Sequence, residues 1–101
     1  MNMQQMMAQA QKMQRELKKA MAALAEQDFV SNKGGLVTVT LKGNRRVESI
    51  VIEKDAMDEE NKEMIEESIV LAINELNEQI SAAEEEINER ITGSKAGFGA
   101  F

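Results

Sequence analysis

The stretch MNMQQMMAQAQKMQRELKKAMAAL, residues 1–24, sets the architecture. Met3, Met6, Ala10, Met13, Leu17, Ala20 and Leu24 fall at alternating spacings of three and four. That is a heptad stripe held for about three heptads. Met7 and Met21 widen it at neighbouring positions. A helix carrying such a stripe must lay it against something of similar length. Lys12, Arg15, Lys18 and Lys19 fall at the positions that point away from the stripe. The helix therefore has a dry side that needs a partner helix and a basic outer side.

Composition narrows what that partner can be. The 101 residues contain no proline and form one domain. Hydrophobic residues make up 43% but aromatic ones only 3%, so the core is aliphatic and rich in methionine. Long helices in so short a chain bury modest area, which favours oligomerisation. With no cysteine, disulfides and thiolate metal sites are excluded. No segment has a signal peptide's pattern or approaches 18 unbroken apolar residues, so a cytoplasmic location without membrane contact is expected. The net charge of −6 is unevenly spread. Residues 1–27 carry four basic and two acidic groups, and residues 28–54 five and three, each segment +2. Residues 55–101 carry three basic and thirteen acidic groups, −10.

Working outward, helix one is expected over about 3–27, close to 40 Å long at ~1.5 Å per residue. Phe29-Val30 break the helical pattern and can begin a short strand, and Ser31 to Gly35 reads as a turn. Strands are expected over about 36–42 and 46–53, with Val37, Val39 and Leu41 on one face. A two-residue loop at Gly43-Asn44 would set Leu41 opposite Arg46 and Val39 opposite Glu48. A three-residue loop or a bulge sets Leu41 opposite Val47, Val39 opposite Ser49 and Val37 opposite Val51. The second register is preferred because it gathers apolar residues on one face, leaving Ile50 and Ile52 on the other. Asp58 is the expected cap of helix two, over about 59–91. Ile69, Ile73, Leu76, Ile80, Ala83 and Ile87 give it a second seam, with Glu75, Glu78, Glu85 and Glu89 outside. Residues 1–92 are thus read as one α+β domain: a long N-terminal helix, a small antiparallel hairpin sheet and a long C-terminal helix. If the helices pair, they do so antiparallel as a projecting arm, within one chain or between two chains of a homodimer, with the Met3 end beside the Ile87 end. Residues 93–101 are read as a Gly-rich tail expected to be mobile.

These residues, in this order, resemble the YbaB/EbfC family of bacterial nucleoid-associated proteins. The opening Met-Gln-Gln-Met-Met-Ala-Gln-Ala-Gln-Lys-Met-Gln is similar to that family's first helix. Gly35-Leu36-Val37-Thr38-Val39-Thr40-Leu41-Lys42-Gly43 resembles its glycine-to-glycine strand. Val51-Ile52-Glu53, the acidic run from Asp58 to Glu66, and Ala72-Ile73-Asn74-Glu75-Leu76 match its later segments. The proline that often follows the hairpin is missing near Lys54-Asp55, and the tail has none. The resemblance implies a homodimer with tweezers-like helical arms that binds double-stranded DNA at the nucleoid. It implies no catalysis, no cofactor and no small-molecule substrate, and it transfers no residue-level DNA motif.

The contact residues are therefore read from the chain itself. A basic helix face is ordinarily just solvated; the resemblance makes Lys12, Arg15, Lys18 and Lys19 the candidate phosphate contacts. Lys42, Arg45 and Arg46 form a second cluster at the hairpin tip, either a charged turn that keeps a sheet edge soluble or a further phosphate contact. The methionine stripe reads as core, or alternatively as an adaptor or chaperone-like clamp for apolar partners. The acidic runs lack the glycine and alternating ligands of a calcium loop. No His, Cys or Tyr is available as the usual base or nucleophile, so a non-enzymatic protein with no metal site is expected.

Overall fold

The computed structural model describes residues 2–93. The expectation of a mobile tail lies, beyond Gly93, outside the described residues. Helix α1 runs Met3–Glu26. Its first turn is closed by a reciprocal pair: Gln5 N–H donates to Asn2 Oδ1 at 2.8 Å and Asn2 N–H to Gln5 Oε1 at 3.4 Å. Gln27 is extended and hands the chain to the sheet.

The sheet has three antiparallel strands in the order β1-β2-β3: β1 Asp28–Lys33, β2 Val37–Lys42 and β3 Val47–Ile52. The sequence predicts strands over about 36–42 and 46–53 and allows a short one to begin at Phe29-Val30, but it puts residues 31–35 in a turn. Instead Ser31, Asn32 and Lys33 pair with Val39, Thr38 and Val37. The turn is confined to residues 34–36, with Gly34 and Gly35 at positive φ (60° and 72°) and Leu36 N–H donating to Lys33 O at 2.9 Å. Two consecutive positive-φ residues match the right-handed twist of the strands they join. Asn32 stays extended while its Oδ1 accepts from Gly35 N–H at 3.0 Å and braces the turn.

The hairpin register departs from the expected one beyond its first pair. Leu41 faces Val47 as expected, but Thr40 faces Ser49, Val39 faces Ile50 and Val37 faces Ile52. A three-residue loop and a bulge both occur, with Glu48 as the inserted residue. The bulge brings Ile50 and Ile52 to the side of Val39 and Val37 in place of Ser49 and Val51. A larger apolar set on one face is the physical reason the shifted register wins.

Two short 3₁₀ turns, Lys54–Ala56 and Glu59–Asn61, follow β3. Asp58 caps the second, its Oδ1 accepting from Glu60 N–H at 3.2 Å, and α2 itself spans Lys62–Thr92. Gly93, at φ 75°, closes α2 by donating to Glu89 O at 2.8 Å.

The first half of α2 lies on one face of the sheet. Val37, Val39 and Leu41 are buried with Ile65, Ala72, Leu76 and Ile80, and Phe29, Ile52, Ile69 and Ile73 close the edges. Full burial of an aliphatic side chain such as Leu76 contributes roughly 1.5–3 kcal/mol. The second half of α2 runs past the sheet and meets α1 antiparallel within the same chain. Ala20, Ala23 and Leu24 line one groove with Ala83 and Ile87. It is therefore Leu24, not Met3, that sits near Ile87. The sheet occupies the first turns of α2, so only the later turns remain for α1. Met3, Met6 and Met7, expected in the seam, are 76%, 57% and 57% exposed. The molecule is correspondingly long, 68 × 21 × 15 Å.

Candidate nucleic-acid interface

The α1 seam fixes where its cations point. Met13, Leu17, Ala20 and Leu24 face α2 and are buried or half-buried. Lys12, Arg15, Lys18 and Lys19 lie within about 120° of arc on the opposite side, all exposed. Lys12 and Lys19 are two turns apart, about 10 Å along the helix. Among the described residues, none of the four has a carboxylate partner or a side-chain hydrogen bond. The cations that do have one sit elsewhere: Lys33 with Glu75, Lys42 with Asp28 and Glu48, Arg45 with Glu84, Lys62 with Glu66 and Arg90 with Glu86.

The hairpin cluster divides. Lys42 Nζ is 2.7 Å from Asp28 Oδ1 and 3.6 Å from Glu48 Oε2, and it donates to Glu26 O at 3.3 Å. The hydrogen bond from Lys42 holds the Asp28 carboxyl below its ordinary range, and the bond to Asp28 raises the Lys42 ammonium above its own. Asp28 thus supports the fold above its unfolded pKa and loses that as pH falls through the lowered value. Lys42 does so below its unfolded pKa and loses it as pH rises through the raised one. The link is therefore intact throughout the neutral range. Arg45 is held by α2: Nη1 donates to Asn77 O and Oδ1, both at 3.0 Å, and Nη2 to Ser81 Oγ and Glu84 Oε1, both at 2.8 Å. Arg46 alone in this cluster presents an exposed side chain with no partner among the described residues.

Glu75, grouped by sequence with the outer acids, is engaged by Lys33 of β1. Glu78, Glu85 and Glu89 do face outward. Among the described residues no group of three or more Asp or Glu is arranged to hold a metal ion. No helix there is long and apolar enough to cross a membrane.

The molecule is thus an α+β unit whose long helical arm carries four cations without partners, among the described residues, on its outer face. The chain belongs to the YbaB/EbfC DNA-binding family, whose model matches residues 1–95. It is 36% identical over 98 residues to a protein of Enterococcus faecalis, covering 96% of this chain and 94% of that one. It is 38% identical over 98 residues to one of Mycoplasmopsis pulmonis, covering 97% of each. It is 40% identical over 96 residues to one of Clostridium novyi, covering 92% of this chain and 82% of the other. All three are named nucleoid-associated proteins.

Proposed function

We propose that this chain is a non-enzymatic, nucleoid-associated protein of the bacterial cytoplasm. It binds duplex DNA as a homodimer, and the outer face of α1 supplies the phosphate contacts. One observation carries the reading. In a chain of net charge −6, Lys12, Arg15, Lys18 and Lys19 stand together on one helix face without partners among the described residues, while five other cations are paired. Cations on a rigid rod neutralise phosphates without reading bases, which suits sequence-tolerant binding. Net negative charge elsewhere keeps the affinity moderate and salt-sensitive. A second reading, an apolar clamp for protein partners, is favoured by the exposure of Met3, Met6 and Met7.

Salt separates the two readings. Replacing Lys12, Arg15, Lys18 and Lys19 with Gln leaves a comparable helix former at each site. Binding should weaken on every duplex tested. The slope of log affinity against log salt should become shallower by about 0.9 for each phosphate no longer neutralised. The matched control is Glu78→Gln with Glu85→Gln and Glu89→Gln, which should leave binding unchanged or tighter. A folded basic-face variant with wild-type affinity and slope would overturn the assignment to α1. Capture of partners that is indifferent to salt would favour the clamp.

A further inference from the structure

The turn between β2 and β3 touches both helices where α1 leaves the sheet and begins to run along α2. On the α1 side, Gly43 N–H donates to Gln27 O at 2.9 Å, and a Cβ on Gly43 would stand 1.8 Å from Leu24 O. On the α2 side, Arg45 grips Asn77, Ser81 and Glu84, positions on adjacent turns of one helix face. Among the described residues Arg45 is the only non-glycine at positive φ (72°), a conformation that L residues rarely adopt. That backbone sends its side chain to α2 while Gly43, two residues earlier, sits on α1.

We propose that Arg45 is a positioning residue for DNA binding. It locks the hairpin tip to α2 and so fixes the direction in which α1 presents Lys12, Arg15, Lys18 and Lys19; it is not itself a phosphate contact. This rests on the reading that the α1 face meets phosphate. The geometry makes the root of the arm the sensitive place. Lys12 is twelve residues from Leu24, about 18 Å along the helix, so a 10° change at the root moves it by about 3 Å. The guanidinium is already committed to four acceptors on α2, and a phosphate would have to displace them. The fork also matters apart from the charge, because an ammonium cannot reach Asn77, Ser81 and Glu84 together.

The test uses Arg45→Lys, Arg45→Ala and Glu84→Gln in the full chain, with Glu85→Gln as the control for the removed charge. Duplex affinity is titrated over several salt concentrations, and amide exchange is followed at Gly43 and over residues 24–27. If Arg45 positions α1, Arg45→Lys and Arg45→Ala both weaken binding, by about three- to tenfold, at the wild-type salt slope. Glu84→Gln weakens it in the same way, Glu85→Gln does not, and exchange at Gly43 quickens in all three clasp variants. If Arg45 is a phosphate contact, Arg45→Lys binds like wild type, Arg45→Ala makes the slope shallower, and Glu84→Gln tightens binding by freeing the guanidinium. That result overturns the proposal, as does wild-type affinity in both Arg45 variants when the four-site Gln variant of α1 no longer binds. Wild-type binding by the four-site variant is a different failure, that of the α1 assignment itself.

Discussion

At Gly43 the turn backbone lies directly against that of α1. A methyl group there would meet the carbonyl of Leu24, a main-chain atom that no side-chain rotation can move. Gly43→Ala is expected to lower stability by about 3 kcal/mol, the upper part of the range for overpacking, measured by urea unfolding. Gly34→Ala fails for another reason: it has open space around it but a φ of 60°, and the expected loss is about 1–2 kcal/mol. The sequence marks Lys42 to Arg45 as a connection, and that much is legible from its turn residues. It cannot show why Gly43 is glycine or that Arg45 serves α2, because the partners of Arg45 lie 32 to 39 residues further on. By type and charge Arg45 looks like its neighbour Arg46. Only tertiary contact separates the two.

At the level of elements, periodicity tells which face of a helix is dry but not how far its partner extends. The α1 stripe from Met3 to Leu24 is even in sequence and uneven in the fold: Leu24 is buried, Met13, Leu17 and Ala20 are half-buried, and Met3 and Met6 are exposed. Leu24→Ala should therefore cost about 2–4 kcal/mol in thermal or urea unfolding, and Met6→Ala within about 0.5 kcal/mol. Equal losses would mean that the whole stripe is packed. The helices and β2 are readable because their apolar patterns run unbroken, and β3 from its apolar run Ile50-Val51-Ile52. The stretch Ser31-Asn32-Lys33 of β1 is not, because its residues suit turns as well as strands. Gly34-Gly35 is the available signal, since two glycines between extended runs favour a tight hairpin. The bulge at Glu48 leaves no comparable mark; it puts Ile50 and Ile52 on the face of Val39 and Val37, where Ile52 packs against the core.

The whole molecule leaves apolar surface that one chain does not cover. Val70 and Leu71 are 58% and 61% exposed on α2, and Val47, Ile50, Met57 and Met64 are also open to solvent. Met57 and Ile52 further line a groove with Ile65 at the start of α2. This is the surface expected to meet a second copy. Light scattering at micromolar concentration should give a dimer, and Val70→Asp with Leu71→Asp should shift it to monomer without unfolding the chain. A wild-type monomer would remove the tweezers arrangement. The offset between the two helices also bears on how this shape varies by descent. From Met3 to Lys12, α1 is exposed at every position, so its outermost turns constrain no neighbour. Gaining or losing a turn there, about 5.4 Å, alters reach and leaves the packed interior as it was. The same insertion between Met13 and Leu24 would slide the packed part of the stripe by a turn along α2. Length is thus a trait that drift can tune at the tip and that selection must hold constant at the root.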